Sequence, residues 1–286
     1  MKHRTAPILV STEWLAEQLD TTHVVVLDAS FHLPDAGRDP RAEYEVEHIP
    51  GASFFDIEDV SDRSVDLPHM LPDDRTMAEK CGALGIGDDA HVVVYDSLGL
   101  FSAARVWWML RVFGHPCVSV LDGGLPKWLA QGRATSADVP TPKRQMFSAK
   151  LETGAVRGLA VMLDNIDSKA EQVVDARGAG RFQGSVPEPR PGMRSGHIPG
   201  AVNVPYSELV ETDTGVVKSV AKIEKAFACA GLDLERPVVA SCGSGVTACV
   251  LALGLALLGK HDTAIYDGSW SEWGALSDTP IDSGAS

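Results

Sequence analysis

Short apolar runs alternate along this chain with longer stretches of helical periodicity. Val24-Val25-Val26-Leu27-Asp28, Val92-Val93-Val94-Tyr95 and Val118-Ser119-Val120-Leu121 read as strands, as do residues 53–55. Runs this continuously apolar suit strands covered on both faces, the situation in a parallel sheet. Helical patterns fall around them at residues 12–19, 75–84, 102–113 and 125–131. Strand–helix alternation of this kind predicts an open α/β domain, whose ligands sit beyond the carboxyl ends of the strands.

The pattern is written twice. His48-Ile49-Pro50-Gly51-Ala52 returns as His197-Ile198-Pro199-Gly200-Ala201, and Val24 to Ala29 resembles Val173-Val174-Asp175-Ala176-Arg177. Val92-Val93-Val94-Tyr95-Asp96 aligns with Val238-Val239-Ala240-Ser241-Cys242. Val120 to Gly124, with Trp128, aligns with Ile265 to Ser269, with Trp273. Four segments in one order, separated by 145 to 149 positions, mark two copies of one domain. The expected division is a first domain over 1–135, a linker over 136–157 that contains Pro140, Pro142 and several Ser, Thr and Lys residues, and a second domain over 158–286.

Cys242 lies where the apolar run Pro237 to Ser241 breaks into Gly243-Ser244-Gly245-Val246-Thr247-Ala248, ahead of a long apolar helix pattern. A thiol at such a switch is held over backbone N–H groups and the positive end of a helix dipole, which favours the thiolate and a nucleophilic role. The alternative is a buried core cysteine; the two glycines speak against it, because they let the backbone curl around the sulfur. The matching position in the first copy is Asp96, so that copy has no thiol and reads as a structural and substrate-shaping partner. His48 and His197 occur in both copies and are expected to fix loops. Cys249, about two helical turns after Cys242, reads as a buried helix position.

Composition bounds the partners. An apolar share of 44% and a charged share of 22% are ordinary for a globular chain of 286 residues, long enough for two domains. A balance of 25 basic against 39 acidic residues gives a net charge of -14, which repels nucleic acid and anionic lipid. A small anionic substrate would also be repelled unless arginines gather locally. Near the N-terminus only Ile8-Leu9-Val10 is apolar, too short for a secretory core, and the longest apolar stretch, Ala248 to Leu258, is about half a membrane span. Five cysteines without a CxxC pair argue against disulfides or zinc and for a reducing compartment, the cytoplasm by default. Gly178-Ala179-Gly180 lacks the spacing of a dinucleotide fingerprint, Asp56 to Asp62 lacks that of a calcium loop, and no cofactor or metal is implied.

With HIPGA in both copies and Cys242 to Thr247 in the second, the chain resembles the tandem-domain rhodanese sulfurtransferases, from about Val10 to Trp273. Matching segments include Phe54-Phe55-Asp56-Ile57, Pro68-His69-Met70-Leu71-Pro72, Arg105-Val106-Trp107-Trp108, Arg181-Phe182, Pro187-Glu188-Pro189-Arg190 and Tyr266-Asp267-Gly268-Ser269-Trp270. The resemblance implies an α/β fold of two rhodanese-like domains, each an open, mainly parallel sheet flanked by helices. It implies that Cys242 takes up sulfur as a persulfide and passes it to an acceptor such as a small thiol, cyanide or a thioredoxin-like protein. Thiosulfate-using members carry Arg and Lys after the cysteine; the neutral Gly243 and Ser244 are more similar to the members that use 3-mercaptopyruvate and release pyruvate. The resemblance places the donor's carboxylate and ketone on Arg181 and Arg190, whose planar forks suit them. It places the sulfur among the amides of Gly243, Gly245, Val246 and Thr247. Proton transfer falls to Ser244, His69 and Glu58; some members have Asp as the acid, so Glu58 adds a methylene, and Asp59 is an adjacent alternative.

Three other readings compete. One is thiosulfate sulfurtransferase as the main activity, and another is a non-catalytic rhodanese-like binding module. The third, a Cys-x5-Arg phosphatase, needs an arginine six residues after the nucleophile, where this chain has Ala248.

Overall fold

The structure, a computed structural model, describes residues 6–284. Met1 to Thr5 and the last two residues, which the expected domains include, lie outside the described residues. The chain folds as two compact units. The first carries β1 (Leu9–Val10), β2 (Val24–Asp28), β3 (Ser53–Phe54), β4 (His91–Tyr95) and β5 (Val118–Leu121), in the order β1-β5-β4-β2-β3. The second carries β6 (Val156–Arg157), β7 (Gln172–Asp175), β8 (Val202–Asn203), β9 (Val238–Ser241) and β10 (Ala264–Tyr266), in the order β6-β10-β9-β7-β8. Every pairing is parallel, and the two strand orders are the same once five is added to each number in the first.

The helices Thr12–Gln18, Asp74–Ala83, Ala103–Val112 and Gly124–Ala130 coincide with the periodic stretches, each to within a residue or so. The pattern missed Pro40–Val46, a polar helix whose buried residue is Tyr44, and the four-residue Ile57–Val60. It also missed β1 and β6, because two residues are too few to show a period. No helix among the described residues is long and apolar enough to cross a membrane.

Both HIPGA histidines act as loop fasteners. His48 is buried, stacks on Tyr44 and places Nδ1 2.6 Å from the Tyr44 carbonyl oxygen. His197 stacks on Phe182 and places Nδ1 2.8 Å from the Phe182 carbonyl oxygen. Trp128, Trp270 and Trp273 are buried in the cores between helix and sheet.

Unit membership does not follow the chain strictly: Arg63–Met70 belongs to the second unit and Glu211–Val217 to the first. The stretch from Gln145 to Glu152 lies along the first unit as a strap. The Gln145 N–H donates to the Gly82 carbonyl at 2.9 Å, and Glu152 N–H donates to that of Val112 at 2.7 Å.

In the first unit, Gly99 and Gly215 meet backbone to backbone. Both have left-handed φ, and a Cβ on Gly99 would lie 2.5 Å from the Gly215 Cα. We expect Gly99→Ala to destabilise the protein by at least about 2 kcal/mol, from clash plus conformational strain. Gly132→Ala, also at left-handed φ but with nothing within 4 Å, should cost only about 1 kcal/mol. Urea unfolding of the two variants checks the difference; equal midpoints would contradict the close contact.

Candidate active site

The second unit's sheet delivers Cys242 directly from the end of β9. The residue is 2% exposed and begins a five-residue loop, Gly243 to Thr247, that leads into the buried helix Ala248–Leu257. The loop's orientation is set by the short helix Ser269–Trp273. Trp270 N–H donates to the Cys242 carbonyl at 2.9 Å, and Ser271 donates to the Gly243 carbonyl from N–H at 2.8 Å and from its hydroxyl at 2.7 Å. In a trans peptide the carbonyl and the following N–H point opposite ways. With those two carbonyls turned towards the helix, the N–H groups of Gly243 and Ser244 point away from it. Among the described residues the N–H groups of Ser244, Val246 and Thr247 find no acceptor, although all three residues are buried. A run of turned-in amides is a cradle for negative charge.

The first unit shows the matching loop with a carboxyl group already in it. Asp96 occupies the Cys242 position, and its carboxylate accepts from Leu98 N–H at 2.9 Å, Phe101 N–H at 2.7 Å and Ala103 N–H at 2.9 Å. Burial nonetheless holds the Asp96 carboxyl above its ordinary value, with the backbone donors pulling the other way. A cavity of about 680 Å³ opens in this unit beside Ser30, Tyr44, Ser97 and Leu125. It has no thiol among its walls.

Ser269 holds the Cys242 backbone. Its hydroxyl accepts from the Cys242 N–H at 3.2 Å and donates to the Tyr266 carbonyl at 2.8 Å. It does so at φ 49°, a conformation that favours glycine, and the first unit has Gly124 at the matching position with φ 52°. His69 is the other strained residue here, buried at φ 61°. Its Nδ1 lies 2.9 Å from the Ser244 hydroxyl oxygen. Of the three non-glycine residues with positive φ among those described, these two touch the Cys242 loop. Strain of about 1–3 kcal/mol per residue persists where the surroundings hold it, commonly at functional loops.

Arg181 comes against the loop from the helix Ala179–Phe182. A Cβ on Gly243 would sit 3.0 Å from the Arg181 Nη2, so glycine leaves the space that the guanidinium uses. Arg181 forms an ion pair through Nη2 with Glu188, and its Nε donates to the same carboxylate at 3.1 Å. The other Glu188 oxygen accepts from Arg177 at 2.7 Å. Arg177 is fully buried, bridges to Asp175 at 2.7 Å and lies 4.2 Å over the Trp270 ring. Burial opposes its charge, but Asp175 and Glu188 outweigh that and hold its pKa above the ordinary arginine value. Arg190 is half-buried two residues beyond Glu188.

The second unit therefore assembles Cys242, Gly243 to Thr247, His69 and Arg181. Glu58 is an exposed residue of the first unit, in Ile57–Val60, where its N–H donates to Asp56 Oδ1 at 3.1 Å. The neighbouring Asp59 pairs with Lys80 at 2.5 Å. Sequence reasoning passed over Arg177, Glu188 and Ser269. The last had a signal, since Ser269 breaks the glycine pair that the first copy keeps. Cys249 donates its thiol to the Gly245 carbonyl at 3.2 Å from within a buried helix. No group of three or more His, Cys, Asp or Glu residues among those described could hold a metal.

A parallel α/β domain, duplicated, with a thiol in the amide-lined loop of one copy, defines a thiol-dependent protein. Residues 11–131 and 159–276 each match the rhodanese-like domain, and the chain belongs to the rhodanese family. It is 48% identical over 271 residues to a human 3-mercaptopyruvate sulfurtransferase, covering 93% of this chain and 91% of that protein. It is 44% identical over 300 residues to an Arabidopsis thaliana mitochondrial protein named thiosulfate/3-mercaptopyruvate sulfurtransferase 1, covering 98% and 79%. The crystal structure of Escherichia coli SseA, described as a 3-mercaptopyruvate sulfotransferase, matches with a TM-score of 0.85 at 40% identity, covering 93% of this chain and 99% of that one.

Ser269→Ala should lose about 1–3 kcal/mol of stability, because it leaves the buried Cys242 N–H without its acceptor and keeps the strained φ. Ser269→Gly loses the same acceptor but relieves the strain, so it should be the more stable of the two by about 1 kcal/mol. Chemical denaturation ranks them; the opposite order would refute the strain.

Proposed function

We propose that this chain is a sulfurtransferase that takes sulfur from 3-mercaptopyruvate onto Cys242, releases pyruvate and passes the sulfur to a thiol or cyanide. One observation carries the donor assignment: the residue after the nucleophile is a glycine, and the Arg181 guanidinium occupies the space beside it. A planar fork beside the thiol suits a carboxylate and its adjacent ketone. A loop with neutral Gly243 and Ser244 in place of two cations gives thiosulfate less to hold.

In the proposed reaction the Cys242 sulfur attacks the donor's sulfur. The S–S bond forms as the C–S bond breaks, and its electron pair leaves with the enolate of pyruvate. The proton of the donor's thiol ends on the enolate carbon, which balances the step. Ser244 and His69, 2.9 Å apart, are the proposed relay for that proton. Glu58 is proposed as the acid that orients His69 on the family resemblance alone. Arg181 and Arg190 hold the carboxylate and ketone, and the amides of Gly243, Gly245, Val246 and Thr247 stabilise charge on the transferred sulfur. The acceptor then attacks the outer sulfur and regenerates Cys242. A small thiol, cyanide or a thioredoxin-like protein would serve as acceptor. The five cysteines form no disulfide among the described residues, in keeping with a reducing compartment, which we propose is the cytoplasm.

Steady-state kinetics with both donors tests this reading. We expect kcat/KM to favour 3-mercaptopyruvate, and a preference for thiosulfate would overturn the donor. Arg181→Ala and Arg190→Ala should each lower kcat/KM for 3-mercaptopyruvate by about 10- to 100-fold, with smaller losses on thiosulfate. Intact mass after incubation with 3-mercaptopyruvate should rise by one sulfur atom, and Cys242→Ser should show no rise; an unaltered wild-type mass would favour a binding module.

A further inference from the structure

The two copies treat one crevice in opposite ways. In each sheet it lies beyond the carboxyl ends of the second and fourth strands, which are neighbours and from which the strand order runs outward on both sides. Such a reversal point is where open α/β sheets take their ligands. In the second unit Arg177 fills it. Its guanidinium donates to Asp175 from Nη2 at 2.7 Å, to Glu188 from Nη1 at 2.7 Å and to the Gly196 carbonyl at 2.9 Å, over the Trp270 ring. In the first unit Asp28 stands at the position of Asp175. Asp39 stands at that of Glu188, since Asp39-Pro40-Arg41 matches Glu188-Pro189-Arg190 at the spacing of 149 that relates the HIPGA segments. The backbone turn is also kept: Ser30 N–H donates to Asp28 Oδ1 at 2.9 Å, as Arg177 N–H does to Asp175 Oδ1 at 2.8 Å. The acids remain, but the guanidinium is gone. Ser30 replaces Arg177 and Leu125 replaces Trp270. With these smaller side chains the first unit has its cavity of about 680 Å³, and Asp28, Ser30, Asp39, Glu47 and Leu125 are in the wall.

We propose that this crevice is a second ligand site, which takes a small molecule carrying a guanidinium group on a short apolar chain. Among the described residues the partners of its acids are neutral: Ser30 N–H for Asp28, the N–H groups of Arg41 and Ala42 for Asp39, and the Thr135 hydroxyl for Glu47 at 3.1 Å. Asp28 is 1% exposed, and burial holds its carboxyl above the ordinary value. A guanidinium seated there supplies the counter-charge that Arg177 supplies to Asp175. Glu47 matches Gly196, whose carbonyl takes Arg177 in the second copy, so a charged acceptor stands beside that place. Arg38, the cation on the wall, is held by Glu43 at 2.7 Å and 2.8 Å. The Ser97 hydroxyl oxygen, on the same wall, is buried without a hydrogen-bond partner. Leu125, Pro126 and Leu129 offer an apolar side for the ligand's chain. A cavity of this volume suits a small ligand. The proposal stands apart from the sulfurtransferase reading above.

Calorimetric titration of the full chain with butylguanidinium and with butylurea, its neutral isostere, tests the site. We expect butylguanidinium to bind at least about tenfold more tightly, because the urea cannot make charge-assisted hydrogen bonds to the carboxylates. Ser30→Arg puts the protein's own guanidinium beside Asp28, as in the second copy, and should abolish binding. Asp39→Asn should weaken it about tenfold while leaving the fold intact, since asparagine still caps the helix Pro40–Val46. Equal affinities for the two probes would overturn the proposal, and so would binding of butylguanidinium that survives both substitutions. If Ser30→Arg does not fold, an unaltered affinity in Asp39→Asn overturns it alone. An arginine-containing peptide that binds where butylguanidinium does not would assign the crevice to a protein segment and overturn the small-molecule occupant.

Discussion

The N-terminal turn of the helix Ser269–Trp273 takes the carbonyl oxygens of Cys242 and Gly243, and the rest of the site depends on that grip. Peptide planarity converts two accepted hydrogen bonds into two directed amides on the opposite side. Each bond is worth only about 1 kcal/mol net, but leaving a buried carbonyl unsatisfied costs about 1–3 kcal/mol. The loop thus has one satisfactory arrangement, and in it the N–H groups of Gly243 and Ser244 point away from that helix. Ser269 adds its acceptor to the Cys242 N–H, so the first residue of the loop is held from both ends of its backbone.

The duplication isolates what belongs to the fold and what belongs to the chemistry. Both copies share the strand order, the stacked HIPGA histidine and a tight turn after the fifth strand. Three of the positions at which they part bear on the Cys242 loop. Asp96 fills its own cradle with a carboxylate, while Cys242 presents a sulfur that can accept a further atom. Gly124 accepts left-handed φ without strain, while Ser269 bears the strain and contributes a hydroxyl. Ser30 stands where the second copy has the buried Arg177, two residues after the aspartate that ends the second strand. Each substitution in the second copy works against local ease, and each lies against the Cys242 loop or the charges beside it.

Much of the fold was legible because buried parallel strands announce themselves as unbroken Val and Leu runs, and because the chain repeats its own pattern. The two-residue strands β1 and β6 were not, since their pairing is a consequence of the neighbouring strand's edge and leaves no periodicity of its own. In the site, Cys242 and its loop could be read from a strand run ending in glycines. The Arg177–Glu188–Arg181 chain could not, because nothing in a Pro- and Gly-rich stretch distinguishes a solvated arginine from a buried one. Burial of Arg177 becomes visible only once Asp175 and Trp270 are seen to enclose it. The assignment of Arg63–Met70 to the second unit was equally hidden, and it brings His69 to Ser244 within that unit.

The net charge of -14 presents an anionic donor with repulsion, and the site resolves this locally. At physiological salt, surface charges more than about 8 Å away are largely screened, so the affinity for an anion is decided by the groups immediately around the loop. Beside the loop, Arg177 and Arg181 are already paired with Asp175 and Glu188. A cluster of bare arginines would bind anions of every kind, phosphate and sulfate among them. Pairing Arg177 and Arg181 with Asp175 and Glu188 restrains that appetite and leaves directed N–H groups, which distinguish ligands by shape as well as by charge.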